Sequence, residues 1–319
     1  MKVKNRFSLP TANSHSSPLT HPSPLTFHSM PDRDQIRRFF FEHSAVRGHI
    51  VHLDSAWVAM CEHHAYPPPI RELLGEAAAA TVLIASTRKF DGTLTLQLQG
   101  PGPMHLLVSQ CSHGFAVRGV ARWNGPVKEG PLSEMAGEGR LTVAVETADA
   151  GSRYEGVVPL AADRLAQCLE AYFRDSEQLP TRIWLAATPT RTAGLLLQRL
   201  PGEEISQESW QRVELLASTL KFEELLELSH TEILRRLFHE EDVRVFEPAP
   251  VFFKCRCSRE RVVELLRALG HEEIRSLLVE RGSVEVRCEF CNRAYQFDAI
   301  DSEQVFHAQP GVARSGTLQ

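Results

Sequence analysis

Four of the seven cysteines in this chain lie in its last quarter, in two close pairs. Cys255 and Cys257 have one residue between them, and Cys288 and Cys291 have two. Two such pairs supply the four thiolates of a tetrahedral Zn²⁺ site, and residues 258–287 between them can hold a helix and a returning strand. The sequence therefore predicts one zinc ion held by all four cysteines.

The chemistry of four thiolates limits what such a site can do. Four sulfur ligands leave no open position for water, which argues against hydrolytic zinc catalysis. A module of roughly 55 residues is small for a hydrophobic core alone, and bound zinc contributes about 10–16 kcal/mol of apparent stabilisation in small zinc modules. Cysteines two apart can also close a tight disulfide once the metal is lost. The cluster could therefore act as a switch.

Three alternatives compete with a switch. A thioredoxin-like pair at Cys288 and Cys291 needs its first cysteine at a helix N-terminus, whereas residues 292–297 read as a strand. A nucleic-acid-binding ribbon needs a basic surface, but four arginines between residues 256 and 267 are offset by five glutamates between residues 260 and 280. The residue chemistry alone leaves a purely structural zinc ribbon open.

The overall composition is that of a soluble globular protein. Of its 319 residues 43% are hydrophobic and 24% charged, and no apolar run approaches the roughly 18 residues of a membrane span. The net charge of −5 gives no basic field for nucleic acid. The chain also lacks the common phosphate-loop, dinucleotide, zinc-protease and serine-nucleophile motifs. We expect neither an enzyme, a membrane protein nor a dedicated nucleic-acid binder.

The other cysteines and the paired histidines are not expected to bind metal. Cys61, Cys111 and Cys168 stand singly and far apart, as small buried hydrophobic residues do. An odd cysteine total without a disulfide framework indicates a reducing compartment, and we expect a cytoplasmic protein. Adjacent His63 and His64 point apart on regular structure, which favours a surface position.

Residue patterns predict the α+β class, with a mixed-sheet core domain, inserted helices, a helical linker and a small C-terminal zinc module. Ile36, Phe39 and Phe40 fit a short helical face, Ile70–Ser86 fits a buried helix, and Asp163 is placed to cap another. Strands are predicted at residues 46–53, 94–98, 104–109, 115–123, 141–147, 154–160, 182–187 and 195–200.

The composition changes after Pro201. Residues 202–247 carry twelve acidic and five basic side chains, a net charge of −7, with apolar stripes on two predicted helices. Such a segment is either a solvated helical linker packed on the core or a metastable segment whose docking depends on its neighbour.

The zinc module has its own local signals. Ser258 is predicted to cap a helix over residues 259–269, residues 284–287 to form a strand that delivers Cys288, and Asn292 to take the left-handed conformation of a metal-binding turn. The chain is thus expected to comprise a disordered extension or mis-assigned start (1–30), the core (31–201), the linker (202–248), the zinc module (249–307) and a disordered tail (308–319).

Beyond the cysteines, several stretches resemble one known family. Over about residues 30–306 the chain resembles the bacterial redox-regulated heat-shock chaperones, the 33 kDa chaperonins, and residues 1–29 have no counterpart in that family pattern. The matching stretches are residues 41–48, 89–92, 97–104, 118–122, 176–182, 238–241 and 257–261, together with the four cysteines.

The resemblance implies a redox-regulated chaperone that works without ATP. In the family, reduced protein holds one zinc on the four thiolates and is inactive. Oxidants form disulfides, implied here as Cys255–Cys257 and Cys288–Cys291, expel zinc, and unfold the zinc module and the linker. The exposed apolar surface then binds unfolding client proteins under oxidative or heat stress, and the active form is a homodimer.

Two expectations about function follow. If the chain is such a chaperone, Leu216, Leu220 and Phe238 on the linker helices are candidate client-binding residues. The alternative is a constitutive structural zinc-ribbon protein that binds a partner or RNA and never switches.

Overall fold

The computed structural model describes residues 33–147, 153–201 and 207–307. They form two six-stranded sheets with a long helix between them, short helices outside one sheet, and a C-terminal module of helices around a two-stranded hairpin. The predicted α+β class is confirmed. The disordered segments predicted at residues 1–30 and 308–319 lie outside the described residues. None of the described helices is long and apolar enough to cross a membrane.

In chain order the described strands are β1 Gln35–Phe41, β2 Val46–Leu53, β3 Gly92–Gln99, β4 Met104–Ser112, β5 Ala116–Trp123, β6 Arg140–Thr147, β7 Arg153–Pro159, β8 Thr181–Ala187, β9 Thr192–Arg199, β10 Val243–Val245, β11 Ala249–Pro250, β12 Phe252–Phe253, β13 Val284–Arg287 and β14 Ala294–Phe297. The helices are α1 Ser55–Cys61, α2 Pro68–Ser86, α3 Leu132–Ala136, α4 Leu165–Asp175, α5 Gln207–Ser218, α6 Phe222–Glu227, α7 His230–Phe238, α8 Arg259–Leu269, α9 His271–Arg281 and α10 Ala299–His307.

The strands fall into two large sheets and one hairpin. Sheet 1 has the order β10-β1-β2-β9-β8, with β11 also paired to β1, and sheet 2 has the order β12-β5-β4-β3-β6-β7. Pairing is antiparallel except between β12 and β5, which run parallel. The third sheet is the β13–β14 hairpin of the C-terminal module.

The predicted helix through Ile36, Phe39 and Phe40 is wrong, because these residues belong to strand β1. Their spacing of three and four residues fits one helical face, but Ile36 and Phe39 lie on opposite faces of the strand and both faces are buried, which hides the alternation of a strand. Tertiary pairing decides. β2 pairs along one edge of β1 while β10 and β11 pair along the other, so a strand satisfies the backbone groups on both sides. Phe39 and Phe41 then share one buried face.

The other core strands and the long helix are confirmed, with ends shifted by a few residues. The helix predicted from Ile70 begins at Pro68, where a proline in the first turn costs no hydrogen bond. The prediction that Asp163 caps a helix is wrong. Helix α4 has Arg164 as its N-cap, and the carbonyl of Asp163 instead accepts a hydrogen bond from the Leu132 amide at 2.8 Å.

Helix α2 fills the space between the two sheets. Residues 77–80 are four consecutive alanines, all fully buried, and they belong to the same core cluster as side chains from both sheets. Small side chains let a helix lie close to a sheet on each side without overpacking. This layer forms the main core, which supports everything attached to the outside of sheet 1.

Helices α5, α6 and α7 cover the outer face of sheet 1. We call the resulting group of buried side chains the linker cluster. The ring of Phe238 on α7 lies 4.9 Å from that of Phe41 and 6.2 Å from that of Phe39. Its buried members are Phe39, Phe41, Val46, Ile50, Ala186, Ala193, Leu195, Leu197, Trp210, Val213, Ala217, Leu225, Leu226, Ile233, Leu234, Leu237 and Phe238.

After α7 the chain returns to the core through three very short strands that the sequence did not reveal. β10 and β11 pair with β1 of sheet 1, and β12 pairs with β5 of sheet 2. Val251 between them is 2% exposed and belongs to the main core. The segment between α7 and the first cysteine pair is therefore fastened to both sheets.

Replacing Gly48 by alanine should destabilise sheet 1. The ring of Phe39 lies across the strand pair on Gly48, and an added Cβ would lie 2.0 Å from a ring carbon. We expect a loss of about 1–3 kcal/mol in the free energy of unfolding, measured by urea denaturation of the reduced protein. Gly114→Ala is the matched control, because its added Cβ meets nothing closer than 4.0 Å. Equal stability of the two variants would contradict this packing.

Candidate metal centre

The four cysteine sulfurs predicted as ligands lie within 4.8 Å of one another. The Sγ atoms of Cys255 and Cys288 are 3.6 Å apart, and those of Cys257 and Cys291 are 3.4 Å apart. Zn–S bonds of about 2.3 Å in a tetrahedron place neighbouring sulfurs about 3.8 Å apart. The four free thiols therefore match a tetrathiolate zinc site in donor type, number and size.

Strand β12 delivers the first cysteine pair from the core. The amide of Lys254 donates to the carbonyl of Val117 at 3.1 Å, so the ladder with sheet 2 continues to the residue before Cys255. Ser258 then caps α8, because its hydroxyl accepts from the Arg261 amide at 3.3 Å. This cap and the predicted helix over residues 259–269 are confirmed.

The second cysteine pair lies on the turn of the β13–β14 hairpin. The Cys288 amide donates to the carbonyl of Arg293 at 3.0 Å, and the Asn292 amide donates to the carbonyl of Cys288 at 2.8 Å. These bonds curl the turn so that Cys288 and Cys291 face the first pair. Asn292 has φ 53°, which confirms its predicted left-handed conformation. We call residues 288–292 the cysteine turn.

Burial and hydrogen bonds together determine which of the clustered thiols ionises readily. Burial raises the pKa of Cys257, but a hydrogen bond from the Tyr295 hydroxyl at 3.2 Å and contacts with the other thiols outweigh it, so the pKa falls to about 7. Burial raises the pKa of Cys255 and of Cys291. Without metal the cluster thus has one thiol that ionises readily and two that do not.

The C-terminal module has a small hydrophobic core. Six side chains are buried in it, contributed by helices α8, α9, α10 and both hairpin strands, and residues such as Leu269 and Val279 remain 54% and 85% exposed. A core of this size supplies little folding free energy. A crosslink between the hairpin and the start of α8 is therefore the natural stabiliser of the module.

The cysteine turn also docks on the core through Phe290. The guanidinium carbon of Arg118 on β5 lies 4.0 Å from the centre of the Phe290 ring, a cation–π contact. Gln110 orients that guanidinium, since its amide oxygen accepts from Arg118 Nε at 2.8 Å. The Phe290 carbonyl lies 3.1 Å from His64 Nε2, completing the contact on the other side.

Two neighbours of Phe290 reinforce this docking. Glu289 forms an ion pair with Arg122 at 2.8 Å, and the side-chain amide of Asn292 donates to the His63 carbonyl at 2.6 Å. The prediction that both histidines lie at the surface holds for His63, whereas His64 is half-buried and stacks on Tyr66. The residues that bind the core thus lie between or next to two of the candidate zinc ligands.

The remaining candidates are placed as follows. Phe238 is 2% exposed in the linker cluster, and Leu216 and Leu220 are half-buried against it, so in this conformation all three are packed on the core. The lone cysteines are buried as predicted. Burial raises the pKa of Cys61 and of Cys111 to about 12, so both remain thiols.

Sequence reasoning missed the docking surface, although one local signal was available. An aromatic residue between two turn cysteines is poorly shielded by so small a module, which indicates an external contact. The partner Arg118 lies 172 residues away along the chain, and nothing local to β5 indicates it.

The comparisons with known proteins agree with one another. A family model described as Hsp33 protein matches residues 34–298. The 33 kDa chaperonin of Nitrosococcus oceani is 48% identical over 280 residues, 88% of this chain and 96% of that protein. That of Shewanella loihica is 46% identical over 279 residues, 87% of this chain and 97% of that protein. The crystal structure of the Thermotoga maritima 33 kDa chaperonin superposes with a TM-score of 0.74 at 26% identity, covering 85% of this chain and 97% of that one.

Replacing Cys288 by serine should abolish tight zinc binding and destabilise residues 249–306 while the core stays folded. A serine hydroxyl is a poor zinc ligand, and the small module core cannot compensate for the lost crosslink. Zinc content and amide hydrogen exchange measure the two effects. Cys168→Ala, which removes a buried thiol far from the cluster, should keep one zinc per chain. Stoichiometric tight zinc in Cys288→Ser would contradict the assignment.

Proposed function

The chain belongs to the Hsp33 family, and from this we propose that it is a redox-regulated chaperone that binds unfolding proteins under oxidative or heat stress without ATP. Family membership supports chaperone function itself. One observation carries the redox proposal: the four thiols cluster in the segment whose turn holds the C-terminal module on the core. A chemical change at the thiols therefore reaches the docking contacts directly.

In the reduced state Cys255, Cys257, Cys288 and Cys291 would hold one zinc ion per chain. The ion would supply a crosslink between β12 and the β13–β14 hairpin, which the small module core needs. Residues 249–307 form the switch domain in this proposal, residues 202–248 the linker and residues 31–201 the chaperone core. The reduced form is inactive because the linker cluster is covered.

Oxidation of the thiolates opens the switch. A thiolate sulfur attacks peroxide, takes one oxygen as a sulfenic acid and releases hydroxide; a second thiolate then attacks that sulfur, forms the disulfide and releases the oxygen as hydroxide. Each disulfide consumes one peroxide. Similarity to the family implies the pairs Cys255–Cys257 and Cys288–Cys291, and this proposal adopts them. The sulfurs of a disulfide are no longer thiolates and do not hold zinc, so the oxidised chain would release the ion.

The loss of the cysteine turn would remove the contacts of Phe290 and Glu289 with the core. The linker helices would then lose the support of the folded module that follows strands β10 to β12. The ion pair of Arg182 with Glu214 joins the core to the linker, but its arginine is 45% exposed, so solvent weakens the pair and it does not replace the lost support.

Undocking of the linker exposes the client-binding surface in this proposal. The outer face of sheet 1, with Phe39 and Phe41, becomes accessible together with Leu216, Leu220 and Phe238 on the linker. Unfolding clients expose apolar segments of their own, and contact with this face removes both surfaces from water.

The remaining properties follow the same proposal. The protein acts in the cytoplasm, where its thiols start reduced, and has no catalytic residues. Its oxidised form is a homodimer, and it needs neither nucleic acid nor a membrane.

Light scattering by a chemically unfolded client protein tests the function. Protein warmed in peroxide should suppress client aggregation, whereas the zinc-bound reduced protein should not. A Cys61→Ala/Cys168→Ala variant, which keeps the four clustered thiols, should behave like the wild type. If neither form suppresses aggregation and zinc is retained after peroxide, the cysteines form a structural ribbon instead.

Replacing Phe290 by alanine should weaken docking of the module without removing its metal. A cation–π contact with a partly desolvated arginine contributes about 0.5–2 kcal/mol, so the equilibrium constant for docking should fall by a factor of about 2–30. We expect faster activation at a fixed peroxide concentration, with one zinc per chain before treatment. Val279→Ala is the control, since Val279 is 85% exposed on the same module. Wild-type activation kinetics in Phe290→Ala would refute the coupling.

A further inference from the structure

A basic cavity lies on the inner side of sheet 1. The β1–β2 register places Arg38 opposite His49 and Phe40 opposite Arg47, on the face turned away from the linker cluster. The C-terminal end of α2 approaches the same face, since the Ser86 hydroxyl lies 2.7 Å from His49 Nδ1. The two strands and the helix end enclose a cavity of 310 Å³.

Four cationic side chains line this cavity. Arg38 and Arg47 come from the two strands, and Arg88 and Lys89 from the segment that follows α2. A neighbouring cavity of 320 Å³ shares Arg38, Arg88 and Lys89 and adds the acidic Glu247. Such a concentration of positive charge is unexpected in a chain of net charge −5.

The protein itself neutralises little of this charge. Arg88 pairs with Glu177, but Arg47 donates through Nε, at 3.0 Å, and through Nη2 to the neutral amide oxygen of Gln198. In the described part of the chain, no carboxylate lies within 4.0 Å of the charged groups of Arg38, Arg47 or Lys89. Burial, and then the charge of Arg88, lower the pKa of Arg47, as expected for cations held together.

Helix capping does not account for the cluster. The Ile84 carbonyl at the end of α2 accepts from the Thr87 amide at 3.1 Å and from its hydroxyl at 2.8 Å. The Ala85 carbonyl accepts from the Arg88 amide at 3.4 Å. The helix end is thus satisfied locally. Arg38 and Arg47, which lie together without carboxylate partners in the described part of the chain, are suited to an external anion.

We propose that this cavity binds a di- or triphosphate group. Arg38, the N–H groups of Arg47 that do not donate to Gln198, and Lys89 can contact several phosphoryl oxygens at once. A multivalent anion also offsets more of the clustered charge than a single carboxylate can. His49 adds no charge, because burial and then Arg47 and Arg38 lower its pKa to about 3.

The residues at the mouth of the cavity are compatible with two sources of the di- or triphosphate group. Phe246 lines it, is 42% exposed, and has its ring centre 5.8 Å from the guanidinium carbon of Arg38. A nucleoside triphosphate could stack its base on this ring, whereas a free polyphosphate would use the cations alone. Because Phe246 directly follows β10, either ligand would link the core to the segment that leaves the linker.

Calorimetric titration of the full reduced, zinc-loaded chain tests the site. Tripolyphosphate and ATP are titrated separately in phosphate-free buffer at 0.15 M salt. The test variant is Arg38→Gln/Lys89→Gln, because both side chains are exposed and the fold tolerates their loss. The control is Lys128→Gln/Arg275→Gln, which removes the same charge from exposed positions elsewhere.

We expect saturable binding by the wild type, at least about tenfold weaker in the test variant and changed less than about twofold in the control. Equal affinities for the two ligands would assign the site to phosphate alone. Tighter ATP binding that Phe246→Ala removes would assign it to a nucleotide. Absence of binding up to about 1 mM would overturn the proposal. Equal losses of affinity in the test and control variants would also overturn it, because they would show only non-specific electrostatic attraction to the protein surface.

Discussion

The outer face of sheet 1 is apolar, and the rest of the molecule depends on keeping it covered. Phe39, Phe41 and their neighbours on this face are as buried as the main core, yet helices of the linker alone cover them. Those helices are 12, 6 and 9 residues long, at or below the roughly 12–15 residues under which isolated helices are marginal in water. In the proposed switch the linker would therefore hold its structure only while it is docked, and docking is the equilibrium that oxidation would shift.

The segment from β10 to β12 connects the docking of the linker to the four thiols. Strands β10 and β11 fasten the end of the linker to sheet 1, and β12 fastens the next residues to sheet 2 directly before Cys255. The cysteine turn then contacts β5 through Phe290 and Arg118. A change in the four thiols thus acts on a continuous set of contacts, and the large main core around α2 need not change.

Local chemistry predicted much of the metal centre but not its surroundings. The cysteine spacing, the Ser258 cap and the left-handed Asn292 are all properties of a few consecutive residues, and each was recovered. Strand β1 was mistaken for a helix because both of its faces are buried, which hides the alternating pattern of a strand. Strands β10 to β12, of two or three residues each, carry no periodicity at all.

The docking of Phe290 on Arg118 and the basic cavity both join residues from distant parts of the chain. The aromatic residue between two cysteines indicates that some external contact exists, but no local pattern indicates its partner or the cavity.

In the proposed switch, oxidation of the four thiols uncovers the linker cluster. Amide hydrogen exchange over residues 35–41 and 230–238, before and after peroxide with zinc measured in parallel, tests it most directly. The account predicts that both segments lose protection as zinc is released, while α2 stays protected. Zinc release with unchanged protection of both segments would contradict it.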